Sequence, residues 1–310
     1  MLTLEGIKMS ELYIRILEMV LWNGKRVQTR GMDVIEIEDF SFVLEDPLSP
    51  FVLQKARGLN LPYAVLEPFL LARPQTYATK EACCFYVGKF LNEFVVNPET
   101  KLMDGFYGDR INRLGKNQLL DIYNLLKKDP NTRRAILTIH SSAEELQRPT
   151  SNDIPCTLDL QFIVRDRKLD LIVNMRGNDA MLGTPQNVPM WTFFQRMMAK
   201  WLELGIGRYH HRVGSMHIYH RDMQKTEQII ATRNVMGKYE NFNEKSLYEW
   251  AIGDPVASLI ECEKFALVEM IYRNYEMDMS KELSTVNQIL MQNLMFPYIR
   301  TKKELLNNVS

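Results

Sequence analysis

Residues 158–164 and 169–173 carry apolar side chains on either side of one short polar run, Arg165-Asp166-Arg167-Lys168. Two apolar segments so separated form an antiparallel strand pair, which commits the middle of the chain to a sheet. Residues 186–204 follow, with Trp191, Phe194, Met198, Trp201 and Leu202 spread over a face too broad for a helix resting on a surface. Residues 209–219 then read as a further strand. Earlier, Ser10 is placed to N-cap a helix with Leu12, Ile16, Met19 and Val20 on one face and Gly24 at its end. Residues 33–44 alternate as a strand or hairpin closed by Pro47 and Pro50. Helices are expected over 64–72, 80–92 and 116–128, with Asp129-Pro130-Asn131 turning the chain into a strand over 134–140. After Glu244 the chain reads as helical, including 257–277. No repeat, low-complexity linker or composition shift divides it. The expected fold is one α+β domain, a mainly antiparallel or mixed sheet flanked by helices, with 1–240 as the main unit and 241–310 a helical C-terminal extension packed on it.

Composition narrows the partners. Lys+Arg and Asp+Glu balance at 38 each, so no overall basic field draws in a nucleic-acid polymer, though a local pocket for one phosphate stays open. Glu5, Lys8, Glu11 and Arg15 interrupt the N-terminal apolar residues, and no apolar run reaches membrane-spanning length, so no membrane partner is expected and a cytoplasmic location is. Cys83, Cys84, Cys156 and Cys262 have no metal-ligand spacing, nor do the five histidines, so no metal is expected. Cys83 and Cys84, inside Ala82-Cys83-Cys84-Phe85, read as buried thiols.

Four motifs carry chemistry. Cys156 follows Pro155 and opens a strand, from which a thiol can enter a cleft; it becomes a nucleophile when positive charge stabilises its thiolate. Arg176, at the end of the paired strand, can supply that charge or grip a phosphate bidentately. Asn187 offers a donor and an acceptor that match O4 and N3–H of uracil or, reversed, N3 and the amino group of cytosine; a helix N-cap is its alternative role. His217 and Tyr219, two apart on a strand, project to one face and suit a sugar hydroxyl. Arg133 and Arg134 are adjacent and point to opposite faces of a strand, so both serve one phosphate only if the backbone bends or one crosses a subunit boundary. Together these parts would hold a pyrimidine nucleotide and attack its ring.

In Pro155-Cys156, Arg176-Gly177-Asn178-Asp179, Gly183-Thr184-Pro185-Gln186-Asn187 and Gly214-Ser215-Met216-His217-Ile218-Tyr219 the chain resembles the thymidylate synthase superfamily, continuously over about 131–222 and more weakly over 10–107. The resemblance implies a pyrimidine nucleoside monophosphate substrate, methylenetetrahydrofolate as co-substrate, no metal, and an obligate homodimer. It implies that Cys156 is the nucleophile, that Asn187 reads the base, and that Tyr107 in Gly105-Phe106-Tyr107-Gly108 is an active-site tyrosine. Arg30 resembles a mobile phosphate-loop arginine, and Arg133 and Arg134 the pair given to the neighbouring subunit's phosphate. Arg176, Gly177, Asp179, His217 and Tyr219 fall at substrate positions, Asp179 at the folate as well. Glu67 resembles the general acid/base that orders water, although Pro68 beside it is unusual inside a helix, and Glu81 is the competing candidate.

Within the superfamily the wording is similar to that of phage-type deoxypyrimidylate hydroxymethylases. Thr157 stands where the synthases usually carry His, and Gly177 where a serine commonly reaches the phosphate. Residues 92–104 contain no Trp where a tryptophan-bearing loop is expected, and 305–310 do not resemble the tail that seals the synthase site over folate. A site without that seal lets water capture the reactive intermediate. Asn187, where the cytosine enzymes place Asp, favours dUMP with dCMP kept open. The expected reaction is hydroxymethylation at C5, with methylation to dTMP, or nucleotide binding without catalysis, as alternatives.

Overall fold

A computed structural model of the chain describes residues 2–29, 31–72, 76–87, 103–147, 151, 153–245, 247, 249 and 253–307. Strands β1 (Leu2–Gly6), β2 (Lys25–Thr29), β3 (Met32–Leu44), β4 (Ile136–Thr138), β5 (Thr157–Arg165), β6 (Lys168–Met175), β7 (Asn178–Asp179) and β8 (Gly205–Tyr219) make one mixed sheet. Its order is β1-β3-β8-β6-β5-β4, with β2 paired to β3 and β7 to β8. β6 runs parallel to β8, whereas β5 is antiparallel to β6 and β3 to β8. The expected α+β architecture is therefore present, with the sheet mixed.

The β5–β6 connection is the predicted tight turn. Asp166 and Arg167 both take positive φ, 48° and 56°, the mirror-image turn whose twist matches the strands it joins. That turn sets the register from Arg165↔Lys168 to Asp159↔Asn174, and a bulge between Thr157 and Asp159 then shifts it by one to Thr157↔Met175, so Cys156 and Arg176 emerge side by side at the far end of the pair. One row of the sheet, including Leu160, Phe162, Leu171, Val173, Tyr209, His211 and Val213, is buried under helices. The opposite row, Asp159, Gln161, Ile163, Ile172, Asn174, His210 and Arg212, is polar for the most part and half-buried or exposed.

Helices α1 (Met9–Asn23), α2 (Leu61–Ala72), α3 (Thr76–Val87), α4 (Tyr107–Ile111), α5 (Gln118–Lys128), α6 (Ser142–Glu145), α7 (Thr184–Trp201), α8 (Met223–Ala231) and α9 (Pro255–Tyr275) complete most of the domain. Two more, α10 (Thr285–Leu290) and α11 (Phe296–Asn307), are joined through a π-helical stretch, Met291–Met295. α7 is buried nearly all round, as its broad apolar face requires. Within it Gln195, wholly buried, donates to the carbonyls of Leu169 (2.9 Å) and Arg208 (3.1 Å), tying the helix to the end of the sheet. α2 is wedged between α7 and α9: Phe69 stacks on Phe265 with centroids 4.2 Å apart and leans on Phe193 at 5.0 Å. Each such ring contributes about 1.5–3 kcal/mol by leaving water, and the wedge fixes the helix that carries Glu67.

Boundaries moved where long-range contacts outbid local chemistry. Ser10 does not cap α1; Lys8 holds the cap position and Ser10 lies in the first turn. Its hydroxyl donates to the Phe51 carbonyl (2.9 Å) and accepts from the Leu53 N–H (3.1 Å), fastening a distant loop. The helix predicted over 64–72 starts at Leu61 and runs through Pro68 to Ala72. That predicted over 80–92 is α3, and residues 88–92 lie outside the described residues. Cys83 is buried as expected, whereas Cys84, expected to be buried too, is only half-buried; Cys262 is also buried.

Candidate active site

A cavity of about 210 Å³ opens where the end of β5, the start of α7, α2 and the loop before α4 converge. Cys156, Asn187, Glu67 and Tyr107 line it together, with Leu70, Met103, Phe106 and Met190 as apolar wall. The four residues come from four separate stretches of chain: Glu67 from α2, Tyr107 from α4, Cys156 from the entry to β5 and Asn187 from α7.

Cys156 stands one residue before β5 and is half-buried. Arg176 braces its loop at three points: its N–H donates to the Cys156 carbonyl (2.9 Å), Nε to the Pro155 carbonyl (3.0 Å) and Nη2 to the Ile154 carbonyl (2.9 Å). The residue itself is exposed. Cys83 also lines the cavity, but burial pushes its thiol up to about 12, so it stays protonated and is a poor nucleophile. The phenol oxygen of Tyr107 accepts from the Thr157 N–H (3.3 Å), and its ring lies over Trp191, centroids 5.4 Å apart at 22°. Burial raises that phenol well above its ordinary value, so it remains neutral.

Glu67 faces the cavity from α2. Burial pushes its carboxyl up to about 7, against a hydrogen bond from the Tyr63 hydroxyl to Oε1 (3.0 Å) that favours ionisation. Oε2 is buried with no hydrogen-bond partner among the described residues. A carboxyl poised near neutrality, with one oxygen unspent, can both take and return a proton. Pro68 costs the helix one N–H without ending it, so the proline beside Glu67 is accommodated. The side chain of Glu81, on α3, lies outside the described residues.

Asn187 is not a helix N-cap; Gly183 holds that position and Asn187 lies within the first turn of α7. Its Nδ2 donates to Asn178 Oδ1 (3.2 Å) and approaches Met175 Sδ (3.7 Å). Near the same end of the sheet, His217 and Tyr219 do share a face: their rings meet edge-on with centroids 5.2 Å apart. A Cβ built on Gly177 would lie 3.9 Å from His217 Cε1 and 3.7 Å from the Ser215 carbonyl, ordinary contacts, so this pair adjoins the Arg176 loop. Asp179 holds the turn into α7, its Oδ1 accepting from the N–H groups of Met181 (2.7 Å) and Leu182 (3.2 Å); burial raises its carboxyl above the ordinary range. Neither Asp179 nor the His217–Tyr219 pair is part of the cavity wall.

Arg133 and Arg134 are exposed just before edge strand β4, away from the cavity lining. Arg30 lies outside the described residues. Two wall residues escaped the sequence analysis. Tyr63 orients Glu67 from one helical turn away, a spacing visible in the sequence once Glu67 is suspected. Asp153 Oδ2 accepts from the Gly105 N–H (2.8 Å), and burial pushes its carboxyl up to about 6; nothing local marks it. Among the described residues no helix is long and apolar enough to cross a membrane, and no group of three His, Cys, Asp or Glu is placed to hold a metal ion.

A sequence profile of the family described as thymidylate synthase matches residues 12–257. The deoxyuridylate hydroxymethyltransferase of Bacillus phage SP01 is 29% identical over 231 residues, covering 71% of this chain and 59% of the phage protein. The thymidylate synthase of Leuconostoc mesenteroides is 28% identical over 181 residues, 53% of this chain and 55% of that protein; that of Mycoplasma mobile is 29% identical over 119, 38% and 40%. The matches thus span at most about three-fifths of these relatives' length. With the profile covering most of its length, this chain belongs to the thymidylate synthase family.

Proposed function

We propose that the chain is a cytoplasmic pyrimidine nucleoside monophosphate C5 hydroxymethyltransferase that converts dUMP to 5-hydroxymethyl-dUMP. The observation that carries this is the meeting of Cys156, Asn187 and Glu67 in one cavity. In this reading the Cys156 thiolate adds to C6 of the uracil ring and makes C5 nucleophilic, while Asn187 faces N3–H and O4, where negative charge collects. Methylenetetrahydrofolate supplies the one-carbon unit, and the apolar wall of Leu70, Met103, Phe106 and Met190 suits a flat pteridine. Loss of the C5 proton and of tetrahydrofolate leaves an exocyclic methylene; Glu67 holds the water that adds to it, and Cys156 leaves as C5=C6 re-forms. Arg176, with His217 and Tyr219, takes the phosphate and sugar, and Asp179 backs both substrates.

Further parts of the reading concern assembly. A homodimer is favoured by the half-open row of the sheet around Ile163, Ile172 and His210, and by Arg133 and Arg134 exposed beside β4, placed to serve a neighbouring subunit's phosphate as Arg30 would serve its own. Residues 241–310 are taken as an extension of the same domain, supported by α9 packing on α2. The direct test is mass spectrometry of products from dUMP, dCMP, UMP and CMP with methylenetetrahydrofolate. A product heavier than dUMP by CH2O, with no dihydrofolate absorbance, is expected. Production of dTMP with dihydrofolate would assign a synthase, as two of the relatives are named, and no turnover on any nucleotide would overturn the enzyme reading.

A further inference from the structure

Behind Asn187 stands a chain of polar groups that nothing in the reaction uses. Asn187 Nδ2 meets Asn178 Oδ1 at 3.2 Å, Asn178 Nδ2 meets His211 Nε2 at 2.8 Å, and His211 Nδ1 meets the Tyr209 hydroxyl at 2.7 Å. Asn178 is 2% exposed, and His211 and Tyr209 are wholly buried. Phe42 stacks on the His211 ring, centroids 4.6 Å apart at 14°, which prevents the ring from turning over. A Cβ on Gly183 would fall 2.4 Å from Asn178 Oδ1, so only glycine there lets the amide lie in the chain.

Such a chain has two self-consistent settings. With the proton on His211 Nδ1, that N–H donates to Tyr209, Nε2 accepts from Asn178 Nδ2, and Asn178 Oδ1 accepts from Asn187 Nδ2. With the proton on Nε2, every bond reverses and Asn187 turns its oxygen to Asn178. The thioether of Met175, 3.7 Å from the same end of Asn187, accepts weakly and cannot donate, so it selects the first setting. Burial holds His211 neutral, pushing it down to about 3, so the imidazole keeps one proton and must choose a nitrogen.

We propose that His211, Asn178 and Tyr209 are positioning residues that set base selectivity, by fixing through the tautomer of His211 which end of the Asn187 amide faces the pyrimidine C4 substituent. This rests on the uracil reading above: Asn187 Nδ2 faces O4, its oxygen takes N3–H, and the reversed setting suits cytosine. With Phe at 209, an Nδ1–H would be buried without an acceptor, which costs more than a bare lone pair. The proton moves to Nε2, and both amides follow.

The test is calorimetric binding of dUMP and dCMP to the full chain, wild type and the variants Tyr209→Phe and Asn178→Ala, with tautomer-sensitive ¹⁵N NMR of the histidines. Expected are a wild-type Nδ1–H tautomer at His211, a switch to Nε2–H in Tyr209→Phe, and a dUMP:dCMP affinity ratio that falls by about tenfold or more in both variants. A fall in both affinities with an unchanged ratio would overturn the proposal. So would an Nε2–H tautomer in the wild type, which needs no variant to fold. Wild-type protein that binds neither nucleotide would instead defeat the functional reading.

Discussion

Asn187 shares a cavity with Cys156, Arg176 is bonded to the Cys156 carbonyl, and what stands behind each differs. Asn187 is backed by Asn178, His211 and Tyr209, all buried, under a stacked Phe42. Arg176 is exposed, braced on the carbonyls of Ile154 and Pro155, with Gly177 beside it where a side chain would fit. The amide end is fixed before any ligand arrives, so little ordering cost remains to be met on binding. The arginine end lies in water, where salt screens it and neighbouring residues or subunits can add to it. In the proposed reading the difference has a purpose: fidelity to a base demands a rigid edge, whereas capture of a phosphate demands charge and access.

The sharpest way to break this comparison is Cys156→Ala. Turnover should fall by about four orders of magnitude or more, while dUMP binding measured by calorimetry stays within a few-fold, because the amide end is untouched. Turnover near the wild-type rate would remove the covalent route altogether. Glu67→Gln should lower kcat by about 10²–10⁴-fold with little change in nucleotide affinity; parallel losses in both would make Glu67 a binding group.

The same carboxyl bears on stability. Its value is raised from 4.5 to about 7 on folding, so the folded protein keeps a proton that the unfolded chain has lost. Stability contributed there is fully present below about pH 4.5 and is lost as pH rises to about 7. Glu244, also raised to about 7 by burial, acts in the same direction. Urea titrations of Glu67→Gln should therefore show a shallower decline across this window than the wild type, and an unchanged slope would mean the carboxyl is ionised throughout.

At the exposed end the effects are smaller. Arg176→Ala should raise KM for dUMP about 10–100-fold, the worth of a charge-assisted bond or two, and flatten its dependence on ionic strength. An effect on kcat alone would leave Arg176 only the brace of the Cys156 loop and remove it from the phosphate. Smallest is Gly177→Ser: one more hydroxyl near the phosphate, worth about 0.5–1.5 kcal/mol, should tighten dUMP by about two- to tenfold. Weaker binding would mean that the phosphate lies elsewhere.

The parts that could be read from the sequence were those whose cause is local. The β5–β6 hairpin follows from its alternation and its four-residue charged turn, and α7 from the breadth of its apolar face. The neighbourhood of Cys156 and Arg176 follows from the hairpin, but their direct pairing also needs a bulge between Thr157 and Asp159 that no local residue announces. Asn187 was recognisable as a polar group at a helix start, but its competing role as a cap could be dismissed only once Gly183 was seen at that position. Ser10 had every local mark of a cap and was recruited by a loop forty residues on. Asp153 and His211 are ordinary residues in sequence; each acquires meaning from a partner forty-eight or thirty-three positions away, Gly105 and Asn178. Contacts of that span have no signature in a single chain.

The brace on the Cys156 loop has an evolutionary corollary. Because one guanidinium holds the two carbonyls leading into Cys156 and also turns toward solvent, any change at Arg176 disturbs thiol placement and, in the proposed reading, anion capture at once. Descendants of this chain can change Gly177 or His217, which bear no such brace, one residue at a time, but Arg176 is a hinge-pin whose replacement needs a second change to re-seat the loop.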